Sequence, residues 1–522
     1  MNDFIVQNKK YWGKDTTVPI EKTDEIVLAE GYFALAGPNY AIRLGSIVKT
    51  IEDETGCKPL VYLSSGDDSE EDKKKIWRSF NIHNFIGLRK DIGFKVNLFS
   101  LSFFSLYYFF KAAFYLALGA SEKFVKLEHC GLQIGDLIYD SIIKKNNRKT
   151  NTIKYIQLRD IRYFISVILN YLYSKWLYNN YNVKYLVTTH SQYTAYGMIT
   201  RYMFSKGVTV FETTDDLLFI FDKTYNEKIP KFHVYMNLKI KDIFAKIYEN
   251  DYFLDKTQSL LEDRFSGKLE QIDVKLAYSN KVIYSKQTIK EALFIENDNP
   301  IVFIFAHVFA DAPCGLSNFQ LFEDYYVWLS ETVKKCSNIT DVNWIVKEHP
   351  SVDAYGERGE VKKLVKKYNK YGNIYNCPDN FSTASVKEIA QAIVTAQGTV
   401  GLEFSCVGIP VIVTSKPFYA GFGFTYEPKS KSEYFSLLEN ITQVKILDKH
   451  QIKSALTVYA AFSMLQNKDF ALIDTQIKNL TWGSSVPQDI PAAFELMAQR
   501  LETINPKDMY FVKQVREYIE KN

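Results

Sequence analysis

The chain has 522 residues, 47% hydrophobic and 24% charged, with 64 Lys and Arg against 60 Asp and Glu for a formal net charge of +4. That length exceeds one ordinary core and predicts two or three domains; the composition excludes a disordered chain, and so small a charge excludes a polycation built for nucleic acid. The opening residues, MNDFIVQNKKYWGKDT, lack the basic-then-apolar pattern of a secretion signal, and the six cysteines form no CxxC and no Cys/His cluster at metal spacing, so a reducing cytoplasm and no metal are expected.

Up to about residue 215, apolar runs alternate with amphipathic stretches. Residues 25–29, 59–63, 123–127, 185–189 and 208–212 read as strands, and 40–52, 159–177 and 193–205 as helices. This alternation predicts a mostly parallel sheet, whose ligands sit at the carboxyl ends of strands. Two loops fall there, 31–39 (GYFALAGPN) and 188–191 (TTHS). His190 in the second either touches substrate or ties down its own loop. Residues 96–119, VNLFSLSFFSLYYFFKAAFYLALG, are long enough for a bilayer of roughly 30 Å hydrocarbon. Asn97, three serines, two adjacent tyrosines and Lys111 interrupt the run, and a mid-membrane lysine costs about 2.5–3.5 kcal/mol. A buried or interfacial helix is expected, with a membrane-facing patch as the alternative. Residues 216–299 lose the alternation and read as a connecting segment, with a helix at 238–247 and a linker at 264–268.

A second domain, 300–485, opens with PIVFIF at 300–305, the all-apolar strand of a sheet buried on both faces. There follow a loop at 306–317, a helix at 319–336, a strand at 342–346, a helix at 360–368, a strand at 373–375, a helix near 386–391, a strand at 392–395, a helix at 400–407 and a strand at 411–414. This is a second doubly wound sheet, so two such domains face each other across a cleft. Residues 486–522 carry a closing helical segment near 491–503. The aromatic content, 36 Tyr and 37 Phe, suits sugar recognition, although most of these rings belong in the core.

Three stretches of the second domain carry chemistry. The loop 306–317, AHVFADAPCGLS, holds His307 and Asp311, and a carboxylate there serves as base, nucleophile or cap of the helix expected at 319. Lys347-Glu348-His349-Pro350 ends the next strand, and His349 is of a type that donates to phosphate oxygens. Residues 395–428 read as strand, glycine turn, helix, strand and a glycine-aromatic loop. Gly398 and Gly401 permit close backbone approach, Thr399 starts the helix, and its amides and dipole favour a phosphate. Glu403 in the first turn either accepts from ribose hydroxyls or offsets the dipole. The pairs Asp67-Asp68 and Asp215-Asp216 make no DxD metal site and read as solvated charge.

In these motifs the chain resembles bacterial capsule and lipopolysaccharide glycosyltransferases of the GT-B fold, above all retaining β-Kdo transferases that use CMP-Kdo. HVFADAP at 307–313 is similar to the family's HxxxDA loop, KEHP at 347–350 to its His-Pro motif, and QGTVGLEFSCVGIPVI with YAGFGFT at 419–425 to its nucleotide site; GLQIGDLIYD at 131–140 resembles a first-domain segment. The resemblance implies Asp311 as catalytic nucleophile, His349 with Gly398 and Thr399 at the CMP phosphate, and Glu403 near the ribose. Lys347 and Gly401 join the phosphate group, and His307, His190, Asp136 and Tyr419 are candidate donor or acceptor contacts. Ala310 stands where the family often has tryptophan, and Glu348 precedes His349. The implied function is transfer of Kdo from CMP-Kdo, with retention, onto a polysaccharide or lipopolysaccharide acceptor, without cofactor or metal, in the cytoplasm or at the inner face of its membrane. The alternatives are a nucleotide-sugar epimerase of the same architecture and a non-catalytic capsule-assembly partner.

Overall fold

Short apolar runs with branched or aromatic side chains pair into two parallel sheets, and the amphipathic stretches between them fold into helices on both faces. The computed structural model describes all residues except 14–18, 32–36, 64–69, 88–95, 146–151, 215–216, 270–271, 467–471, 474–475, 478–479 and 481–488. The expected acidic pairs at 67–68 and 215–216, and most of the loop 31–39, lie outside the described residues.

The first sheet contains β1 (Glu25–Glu30), β2 (Lys58–Leu63), β3 (Phe85–Gly87), β4 (Asn182–Thr188), β5 (Thr209–Thr213) and β6 (Leu218–Phe221). Its order is β3-β2-β1-β4-β5-β6, parallel except where β6 returns antiparallel along β5. The second contains β7 (Ile301–Phe305), β8 (Asn343–Lys347), β9 (Ile374–Asn376), β10 (Ala390–Thr395), β11 (Val411–Val413) and β12 (Thr425–Tyr426). Its order, β9-β8-β7-β10-β11-β12, repeats the first with every pair parallel. The fold is α/β with two doubly wound, Rossmann-like domains, the GT-B architecture. Strand order reverses between β1 and β4 and again between β7 and β10, which opens a crevice at the carboxyl ends of those strands.

Period two along each strand sorts its side chains between layers. Val27, Ala29, Val61, Val187 and Phe211 face one cluster with the helices Asn2–Trp12, Pro38–Thr55, Asp489–Leu501 and Tyr510–Lys521. The last of these is also tied to the first domain by Arg516 to Glu54 (3.0 Å) and by Tyr518 Oη to Asp222 (2.9 Å). Ile26, Leu28, Leu60 and Leu186 face the opposite cluster, which continues through the connecting helices to Phe303, Phe305, Ile393 and Val411 of the second sheet.

Four expectations change. Residues 123–127 are not a strand: Ser121–Val125 is helical, and Phe124 and Leu127 are buried at helical spacing. The boundary expected at 215 falls inside the first sheet, because β6 pairs on β5. The helix expected from 319 starts at Tyr325, where Asp324 caps it by accepting from Val327 N–H at 2.8 Å, while 319–321 pair with 414–416. The helix after the glycine turn is Val400–Ser405, shorter than 400–407.

The domains meet along the helix Gly135–Lys145. Tyr139 Oη donates to Asp324 at 2.8 Å, and Cys314 N–H to Asp140 Oδ1 at 3.1 Å. A Cβ on Gly315 would lie 3.0 Å from Asp140 Oδ2 and from Gln192 Cγ, so this glycine lets the two domains close to that distance. Asp136, one turn back, is not available to a substrate. It is fully buried, and both its oxygens accept from Arg201 at 2.7 Å in a bidentate pair, with Arg201 also donating to Gln133 O at 2.6 Å. Arg201→Ala should therefore destabilise the first domain by about 3–5 kcal/mol, because it leaves a buried carboxylate uncompensated. Denaturant titration checks this, and a loss under about 1 kcal/mol would show the pair to be dispensable.

Candidate functional site

β7 and β10 are neighbours, so the loop after Phe305 and the turn after Thr395 emerge side by side. His307 joins them: its Nε2 accepts from Gln397 N–H at 3.1 Å and lies 3.4 Å from Thr395 Oγ1. The neutral ring therefore carries its proton on Nδ1. It stacks on Tyr325 with centroids 4.5 Å apart, and burial pushes its pKa down to about 3.

The crevice beside this junction encloses about 570 Å³, part of it open to solvent. His307, Lys347, His349, Gly398, Thr399 and Glu403 all line it. Lys347 ends β8 and forms no ion pair among the described residues; burial pulls its pKa down. Ser351 N–H donates to His349 Nδ1 at 3.1 Å, which leaves the proton of the neutral ring on Nε2 as a donor. Glu403 on the opposite wall is already held, its Oε1 by Arg264 at 3.0 Å and its Oε2 by Tyr278 Oη at 2.6 Å.

Gly401 and Tyr419 stand behind the turn rather than in the crevice. Tyr419 is fully buried, its hydroxyl donates to Gly398 O at 2.5 Å, and a Cβ on Gly401 would lie 2.3 Å from that hydroxyl. The glycine thus admits the tyrosine that props the turn. His190 lies at the carboxyl end of β4 in the other domain, with Nδ1 3.2 Å from Thr189 Oγ1 and its ring 5.5 Å from Tyr196. Among the described residues, no group of three His, Cys, Asp or Glu is placed to hold a metal.

Asp311 leaves the same loop on the side of the first domain and does not line the crevice. Tyr355 Oη donates to its Oδ1 at 3.1 Å. Burial raises its pKa, opposed first by the charge of Lys144 from the facing helix Gly135–Lys145. That lysine sits 4.0 Å from the ring centroid of Tyr193. Asp311 does not cap the helix at Tyr325, since Asp324 does. The loop is braced throughout. Glu357 accepts from Phe309 N–H at 2.7 Å and Ala310 N–H at 2.9 Å, Ala312 sits at φ +42°, and Lys231 donates to Cys314 O at 3.3 Å and Ser317 O at 2.9 Å.

Sequence reasoning missed Lys231, Glu357, Tyr325, Lys144 and Arg264. Only Arg264 left a signal: it recurs on the stripe of Leu254 and Leu261, where an arginine is out of place unless paired.

Residues 329–447 match the family model described as capsule polysaccharide biosynthesis protein. That segment contains Lys347, His349, the Gly398 turn and Glu403, but not His307 or Asp311. Among solved structures, the chain is similar to the Thermosulfurimonas dismutans KpsC β-Kdo 2,7 transferase, at 15% identity over 66% of this chain and 97% of that one, with a TM-score of 0.33. It is similar also to the β-Kdo 2,4 transferase of KpsC from the same organism, at 13% over 54% and 79%, TM-score 0.34. A third likeness is to S. aureus MnaA in a UDP co-structure, at 13% over 87% and 98%, TM-score 0.28. No curated protein matches.

Several buried carboxyls are pushed up by desolvation: Glu30 and Glu357 to about 7, Asp140 and Glu212 to about 8. From the ordinary carboxylate range of about pH 4 up to these raised values, the unfolded chain has released the protons while the folded one retains them, so stability falls with rising pH until about pH 8 and is constant above it. The lowered His307 and His233 act the other way, with stability gained as pH rises from about 3 to the ordinary histidine value of 6.5 and constant above it. The melting temperature should therefore decline from about pH 6.5 to about pH 8 and level off above it. Asp140→Asn, which still accepts from Cys314 N–H, should flatten part of that decline; a wild-type melting temperature that holds or rises across the window contradicts it.

Proposed function

We propose that the protein is a glycosyltransferase of capsule polysaccharide synthesis that binds a CMP-activated sugar, Kdo, in the crevice between β7 and β10. In this reading it transfers that sugar with retention to a polysaccharide or lipopolysaccharide acceptor. The observation that carries the reading is the convergence of Lys347, unpaired among the described residues, and the Nε2 donor of His349 on the Gly398 turn, inside the segment that matches the capsule family. A cation left without a partner in a partly buried wall is costly unless an anion arrives to meet it.

The roles in this reading are those that the motif resemblance implies. As CMP departs, its phosphate gains charge, which Lys347 and His349 stabilise. Glu403, held by Arg264 and Tyr278, lines the wall where the ribose would lie. Asp311 attacks the anomeric carbon as the bond to the phosphate oxygen breaks, forming a glycosyl ester; the acceptor hydroxyl then displaces the carboxylate and loses its proton. Two inversions give retention. Burial makes Asp311 more basic, hence a better nucleophile, and Lys144 favours its ionised form. Its position outside the crevice wall favours, as a second reading, a non-catalytic assembly partner that binds the nucleotide alone.

Thermal shift and calorimetry test the donor. CMP should stabilise the protein more than UDP does, and His349→Ala should weaken CMP binding by about 1.5–3 kcal/mol with the melting temperature of the free protein unchanged. Preference for UDP sinks the CMP assignment, and an unaltered affinity removes His349 from the phosphate.

A second experiment tests the chemistry. Asp311→Asn should retain CMP binding while turnover falls by orders of magnitude. Intact-protein mass spectrometry of wild type with CMP-Kdo alone should show one added sugar at Asp311. Normal transfer by the variant and no adduct exclude the double displacement, CMP binding without any transfer selects the assembly partner, and an altered donor sugar without acceptor selects an epimerase.

A further inference from the structure

The helix Leu98–Ala117 is predominantly apolar, with Lys111 beside Tyr107 its one charged residue, yet only one face is buried. Ser105, Tyr108, Phe109, Ala112 and Leu116 pack into the first domain, with Phe109 against Phe164 at 5.6 Å. The opposite stripe, at helical spacing, is in water: Phe99 is 79% exposed, Phe110 64%, Phe114 60% and Leu118 64%, with Phe103 and Tyr107 between them. Phe99 and Tyr107 each stack on Phe103, at centroid distances of 6.1 and 6.4 Å. So continuous an aromatic ridge is not ordinary for a surface facing only solvent.

Its surroundings select the partner. Phe109 meets Phe164, and Phe104 reaches Tyr171 through His129, so the helix Ile161–Asn180 runs antiparallel to it. The end that carries Phe114 and Leu118 is therefore adjacent to Leu158, itself 81% exposed, and to Arg159 and Arg162. Lys123 and Lys126 follow directly in sequence and are exposed, as is Lys154; Glu122 and Glu128 are the exposed acids of 96–128 and 154–162, and Asp160 is buried. A second copy of this surface would oppose like charges. An anionic surface with an apolar interior fits both features.

We propose that this ridge docks the protein on an anionic phospholipid bilayer, with the helix lying in the plane of the interface. Its aromatic stripe enters the headgroup boundary while Lys123, Lys126, Arg159 and Arg162 meet lipid phosphates. The helix does not cross the membrane, because its other face is fixed in the core of the first domain.

Flotation with phosphatidylglycerol-rich and with pure phosphatidylcholine vesicles tests this on the whole chain. Wild type should float with the anionic vesicles and be released by salt. Combined Phe99→Ser, Phe110→Ser and Phe114→Ser should lower the bound fraction at least about tenfold, with the melting temperature and nucleotide binding unchanged. Phe110→Trp, as an independent probe, should show fluorescence quenched by brominated acyl chains. No flotation of wild type, equal flotation of the triple variant, or an unquenched tryptophan overturns the proposal. So does light scattering that finds a wild-type dimer made monomeric by the three serines, which would assign the ridge to a second copy.

Discussion

The loop 306–317 is held by hydrogen bonds to side chains that belong to other parts of the chain, and the arrangement of the cleft depends on it. Glu357 ties its first half to the second domain through two backbone amides, Asp140 holds Cys314 N–H from the first domain, and Lys231 in the connecting segment takes the carbonyls of Cys314 and Ser317. No apolar contact fixes a backbone in this way, since burial is non-directional whereas each of these bonds fixes a position. The consequence is a loop with two addresses: His307 faces the glycine turn and Asp311, four residues on, faces the helix of the other domain.

The sheets were legible in the sequence because buried parallel strands declare themselves. PIVFIF at 300–305 and the run before the Gly398 turn have no other good reading, and both register as neighbours in the middle of the sheet. The turn, the KEHP strand end and the helix Tyr193–Ser205 follow from the same local chemistry. What failed is what needs a distant partner to be seen. β6 exists because β5 offers it an antiparallel edge, and residues 319–321 are extended because 414–416 bind them, so neither could be found from its own residues. Asp136 illustrates the limit in the site: nothing local to GLQIGDLIYD reveals that Arg201, 65 residues away, occupies both of its oxygens.

Buried charge divides the molecule into structural and chemical parts. Asp136 with Arg201 and Glu403 with Arg264 are each closed pairs in which the low dielectric strengthens the attraction that offsets desolvation. Lys347 has no such partner among the described residues and sits in the crevice wall. The same physics that closes the first two pairs makes the third group conspicuous, and in the proposed reading a ligand supplies its counter-ion.

The glycine turn contributes less electrostatically than its motif suggests. Val400–Ser405 is six residues long, and the amides of Gly401, Leu402 and Glu403 already donate to the carbonyls of Gly398 and Thr399. A dipole summed over so few peptides is small, and donors already engaged cannot also cradle a phosphate. His307 adds no charge, since its depressed pKa keeps it neutral, and one of its nitrogens is spent on Gln397. Within the turn Gly398 bares the backbone, the Tyr419 hydroxyl packed on Gly401 fixes its height, and Thr399 and Val400 line the crevice wall. Net positive charge in the crevice wall then comes from Lys347, with His349 adding a donor beside it. In the proposed reading, side chains at the end of β8 hold the phosphate and backbone at the end of β10 shapes the space around it, so the two strands flanking β7 divide charge from shape between them.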